Sequence, residues 1–85
     1  MAYSITYKSS VQKDLKNISK PEANKILNQI ERILTLRAND FLQLKGEFKG
    51  LRKFRVGNYR IIYEINDKET VIRIMRIRYR KDVYK

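Results

Sequence analysis

The side chains in this sequence that can do chemistry are cations and phenols. Lys53, Arg55 and Arg60 lie in the stretch KFRVGNYR, and Arg73, Arg76, Arg78, Tyr79, Arg80, Lys81 and Tyr84 follow toward the C-terminus. Gly57-Asn58 between two alternating runs is a two-residue hairpin signal. It sets Val56 opposite Tyr59 and Arg55 opposite Arg60, with Lys53 one step along the same face. Like charges directly opposite on one sheet face are destabilising, so the pairing asks for an anion. The planar guanidinium fork suits phosphate, and tyrosines stack on bases. A neutral lysine can act as a general base. Arginine holds its proton too tightly for easy acid catalysis but can stabilise a leaving oxygen electrostatically. RNA brings its own nucleophile, the 2′-hydroxyl, so this set is compatible with cleavage that needs no metal, cofactor or activated protein nucleophile.

The composition narrows the alternatives. The 85 residues predict one domain with a small core. Cysteine and histidine are both absent. That excludes disulfides, cysteine- or histidine-ligated metal sites and Ser-His or Cys-His nucleophile systems. The net charge is +11, which favours a polyanionic partner. Seven of the nine arginines fall between Arg52 and Arg80, whereas lysines dominate the first half. The C-terminal half is therefore the candidate working half. A generically basic protein, or a module that holds nucleic acid without reacting, fits the same composition, and Tyr79 and Tyr84 can equally be packing residues. No segment approaches the roughly 18 apolar residues of a membrane span, and the N-terminus lacks a signal-peptide pattern. A cytoplasmic protein without membrane contact is expected.

Regular elements must hold these residues in place. Residues 2–8 alternate, with Tyr3, Ile5 and Tyr7 on one side, as in a half-buried strand. Ser9 or Ser10 is the expected cap of a short helix carrying Val11, Leu15 and Ile18. Ser19-Lys20-Pro21-Glu22 reads as a capping box opening a second helix to about Leu36, with Ala23, Ile26, Leu27, Ile30, Ile33 and Leu34 as its apolar stripe. Residues 37–49 form a connector whose Phe41, Leu42 and Leu44 are expected to pack on the helices. Strands are predicted over about 51–56, 59–65 and 70–77, with 66–69 as the second turn and a helical turn at 81–85. The β-α-α-β-β-β order predicts an α+β domain, a helical hairpin on one face of a small antiparallel sheet. Phe54, Val56, Tyr59, Ile61, Tyr63, Ile65, Ile72 and Ile74 should face the helices. Lys53, Arg55, Arg60, Ile62, Glu64, Val71, Arg73 and Met75 should line an open, wet face. Alternation alone does not fix Arg76, Arg78 and Arg80, because a bulge there changes their directions.

The strings LKGEFKGLRKFRVGNYRIIYEIND and VIRIMRIRYRKDVY, at this spacing and in this element order, resemble the RelE/ParE superfamily of toxins from type II toxin–antitoxin modules. The resemblance covers nearly the whole chain and implies a RelE-like microbial ribonuclease fold. Its RelE branch implies a metal-independent, ribosome-dependent mRNA endonuclease that inhibits translation. It also implies a cognate RelB-like antitoxin with an acidic or extended segment, and contact with operator DNA only through the antitoxin complex. Carried over by motif, the catalytic positions are Lys53 as general base, Arg55 and Arg60 on the phosphate, Arg80 at the leaving 5′-oxygen and Tyr84 stacked on a base. Arg52, Arg73, Arg76, Arg78, Tyr79 and Lys81 are the further candidates for RNA contact. One departure stands out: Arg78-Tyr79 occupies the place of the Gly-His of many relatives, and tyrosine does not shuttle protons near neutral pH as histidine does. The ParE branch shares the hairpin and implies inhibition of DNA gyrase by protein binding, so that alternative stays open.

Overall fold

The computed structural model describes residues 3–37 and 50–79. The expected packing of Phe41, Leu42 and Leu44, the terminal turn at 81–85, and the candidate residues Arg80, Lys81 and Tyr84 lie outside the described residues. Strand β1 spans Ser4–Tyr7, helix α1 Ser9–Lys16 and helix α2 Lys20–Gln29. The helical run continues through a π-helical turn, Ile30–Leu34, into a last α turn, α3, Thr35–Arg37. Three strands follow: β2 Arg52–Val56, β3 Tyr59–Asn66 and β4 Val71–Tyr79. The predicted element order is thus observed, and the helices pack on a four-stranded sheet.

The sheet order is β1-β4-β3-β2. Hairpin pairs β2–β3 and β3–β4 are antiparallel, but β1 pairs with β4 in parallel, Ser4 against Val71 through Tyr7 against Ile74. The sheet is therefore mixed, which corrects the all-antiparallel expectation. Helices α1 and α2 lie between β1 and the hairpins, and a crossover of that length lets the chain return in the same direction. Val11, Ile18, Ile26, Ile30 and Leu34 meet Phe54, Val56, Ile61, Tyr63, Ile72, Ile74 and Ile77 in one buried cluster. Every strand residue assigned to the helix face borders or joins it.

Local details differ from expectation. Lys8, not Ser9 or Ser10, is the N-cap of α1 and makes no side-chain cap bond. Ser10 instead donates its hydroxyl to the Met75 carbonyl at 2.8 Å. Ser19 does cap α2, with Pro21 in the first turn, but no side-chain cap bond forms; the Ser19 carbonyl accepts the Ala23 amide at 2.8 Å. The second turn is residues 67–70, because Asn66 pairs with Val71 and Ile65 with Ile72. A turn at 66–69 would have paired Ile65 with Thr70, two residues from its observed partner Ile72. A shift of two preserves which face each side chain takes, so the face assignment survives.

Candidate functional site

The turn chemistry fixes the site's register first. Gly57 has φ +59° and Asn58 is not among the positive-φ residues, the φ signs of a type II′ turn with glycine first. That turn places Val56 against Tyr59 and Arg55 against Arg60, as the sequence predicts. On the other side of β3, Arg60 pairs with Arg78. Arg55, Arg60 and Arg78 therefore form one cross-strand row on three adjacent strands. With strands spaced about 4.8 Å apart, the row is about 10 Å long at the backbone, the scale of one or two phosphates. The next row is Lys53, Ile62 and Arg76.

Arg78 enters the row through a bulge. Tyr63 pairs with Ile74 and Ile62 with Arg76, leaving Met75 as the extra residue on β4. Strict alternation from Ile72 and Ile74 would drive Arg76 and Arg78 into the core. The inserted residue reverses the phase, so Ile77 is buried and Arg76 and Arg78 share the face of Ile62 and Arg60. The spacing of Ile72, Ile74 and Ile77 carries this signal in the sequence. Ile62, assigned to a wet face, is in fact only 7% exposed. Lys53 and Arg76 stand directly beside it, and long basic side chains cover apolar surface with their stems.

The other candidates are spread more widely. Arg52 pairs with buried Tyr63, one step out of phase with Lys53, and so lies off the face of the arginine row. Arg73 faces Glu64, with a 3.8 Å ion pair between well-exposed side chains, a contact of little energetic weight. Arg76 is gripped by Asp14 of α1: Nε and Nη2 donate to the two carboxylate oxygens, each at 3.0 Å. Oδ2 of Asp14 also accepts the Ile77 amide at 2.9 Å. The sequence reading missed Asp14. Its signal was an acid in the second half of a helix, beside Lys13 and Lys16, where the macrodipole disfavours negative charge.

Tyr59 and Tyr79 pair across the strands with ring centroids 5.4 Å apart in an edge-to-face arrangement. Loss of hydration and the nearby Glu22 carboxylate push the Tyr59 phenol above its ordinary range. Tyr59 and Tyr79 line a cleft of about 550 Å³ with Asn17, Arg76 and Arg78, where α1 ends beside β4. The cleft joins an exposed aromatic ring to the end of the arginine row. Among the described residues no cluster of three or more carboxylate, histidine or cysteine groups could hold a metal ion. Also among them, no helix is long and apolar enough to cross a membrane.

Comparison with known proteins gives a consistent result. Residues 5–84 match the family described as the ParE toxin of the type II toxin–antitoxin system parDE. A curated relative, Toxin RelG of Mycobacterium tuberculosis, is 38% identical over 42 residues. That match covers 49% of this chain and 48% of the relative, so it spans about half the length of each. The structure is similar to the RelBE2 toxin–antitoxin complex of M. tuberculosis, with a TM-score of 0.85 at 25% identity over 96% of this chain and 95% of the other. It is also similar to the archaeal RelE-RelB complex of Pyrococcus horikoshii, with a TM-score of 0.76 at 29% identity over 96% and 99%.

Proposed function

The chain belongs to the ParE toxin family of type II toxin–antitoxin systems, and on that premise we propose that it is a ribosome-dependent mRNA endonuclease restrained by a cognate antitoxin. The Arg55–Arg60–Arg78 row carries the reading. In it, the row seats the scissile phosphate and Lys53 takes the proton of the adjacent 2′-hydroxyl. O2′ then bonds to phosphorus and the P–O5′ bond breaks, leaving a 2′,3′-cyclic phosphate and a 5′-hydroxyl that gains its proton from water. The guanidinium row stabilises charge on the phosphoryl oxygens. Arg80 assists the leaving oxygen, and Tyr79 and Tyr84 offer stacking surfaces to flanking bases. Toxin–antitoxin pairs among the similar structures support an antitoxin partner, and an acidic extended segment suits both the cationic face and a strand edge.

Primer extension on translated mRNA tests the reading. The wild type is expected to produce new 5′ ends, and Arg60→Ala to reduce their rate by about 100-fold or more, the usual cost of losing a group that stabilises transition-state charge. Unchanged cutting by Arg60→Ala refutes the assignment. The match to a family described as the ParE toxin keeps open the second reading that the ParE resemblance implies, inhibition of DNA gyrase through protein binding. A supercoiling assay separates the two: gyrase inhibition without RNA cuts supports the second. Salt-dependent RNA binding without cuts or gyrase inhibition identifies a non-catalytic binding module.

A further inference from the structure

We propose that Asp14 is a positioning residue for the arginine row, holding the distal half of β4 in the bulged register that aims Arg78 at Arg60. The activity arm of this inference rests on the RNA-cleaving reading; the structural arm does not. Strand β1 pairs with β4 only as far as Tyr7 against Ile74. The stretch of β4 that carries the bulge, Arg76 and Arg78 lies beyond that point. Among the described residues no strand flanks this end of β4 on the β1 side, and a bulged strand end so placed opens readily.

Among the described residues, helix α1 takes the place that a flanking strand would hold. Ser10 bonds the Met75 carbonyl, and Asp14 takes the Ile77 amide and both donors of the Arg76 fork. The Asp14 side chain is 11% exposed, so its bonds are charge-assisted and largely shielded from water. They fall on the two residues immediately before Arg78. Asp14 also offsets the charge of Arg76, which stands in the row next to Arg60 and Arg78.

The test compares the full-length wild type with Asp14→Ala and Asp14→Asn by amide hydrogen exchange and by single-codon mRNA cleavage on ribosomes. Asp14→Asn keeps a neutral acceptor for the Ile77 amide, so it keeps the test usable where Asp14→Ala does not fold. Relative to the Ile61 amide in β3, exchange at Ile77 and Arg78 is expected to rise on the order of tenfold in Asp14→Ala, matching the loss of one charge-assisted hydrogen bond. The rise should be smaller in Asp14→Asn. Cleavage at saturating ribosome should fall about tenfold, with KM within about twofold, as expected when a misplaced group is needed only in the transition state. Exchange at Ile77 and Arg78 that rises no more than at Ile61 overturns the inference. So does an unchanged kcat in a wild type that cuts. If the wild type does not cut, the RNA reading fails while the exchange comparison still decides whether Asp14 holds β4.

Discussion

Arg55→Thr is expected to stabilise the free protein while weakening its hold on a polyanion. Arg55 is the exposed end of the row and directly opposes Arg60. Directly opposed like charges cost a few tenths to about 1 kcal/mol. Two guanidinium groups about 6 Å apart in a water-like dielectric repel by about 0.7 kcal/mol before screening. Arg78 lies two strands away, near the Debye length of about 10 Å at 0.1 M salt, and adds little. Threonine keeps strand propensity, so the net gain should be about 0.5 kcal/mol, or about 2–4 °C in Tm for a domain of this size. Urea titrations at about 20 mM and 500 mM NaCl read it directly, and the gain should shrink at the higher salt. In parallel, the salt dependence of single-stranded RNA binding should lose about 0.7 from its log–log slope, the share of one phosphate contact. A variant less stable than wild type at low salt, or a gain indifferent to salt, refutes the reasoning and gives Arg55 a structural role.

Thr70 has φ +52°, a conformation that a β-branched residue adopts only under strain. Thr70→Asn should therefore raise stability by about 0.5–1 kcal/mol in urea unfolding, since asparagine tolerates this region; a loss would show that the Thr70 hydroxyl bond to the Glu69 carbonyl outweighs the strain. Burial, then the Glu31 carboxylate that accepts the Tyr7 hydroxyl at 3.2 Å, hold the Tyr7 phenol well above its ordinary range. The unfolded chain loses this proton near pH 10 while the folded chain keeps it, so the stability tied to Tyr7 is present below about pH 10 and is lost as the pH rises further. Tyr7→Phe should flatten the stability curve above pH 10 relative to wild type, by some fraction of about 1.4 kcal/mol per pH unit. Parallel curves for the two proteins would refute this.

Much of this was legible because it is local. Gly57-Asn58 sets the β2–β3 register by itself, and the Arg55–Arg60 pairing follows. The β3–β4 turn lacks so strong a signal: its positive-φ residue is Thr70, not a glycine, so the turn is misplaced by one residue and the strand pairing by two. The helix-face residues nevertheless come out correctly, because an even shift keeps sidedness. The parallel partner of β1 was not legible, since no turn links Ser4 to Val71 and only the finished sheet brings them together. The Asp14–Arg76 fork is hidden for the same reason: its partners belong to α1 and β4. Ser10 shows how a residue suited to capping can instead be used by a distant strand.

The pairing of β1 with β4 has a consequence for how the molecule comes into being. Of the described elements, β1 is made first and the strand beside it last. Contacts between such distant parts of a chain form slowly, after the cost of closing the long intervening loop has been met. An incomplete nascent chain therefore has the helices and β1 but neither the sheet's second strand nor Arg78. Assembly of the full cationic row must therefore wait for almost all of the described chain.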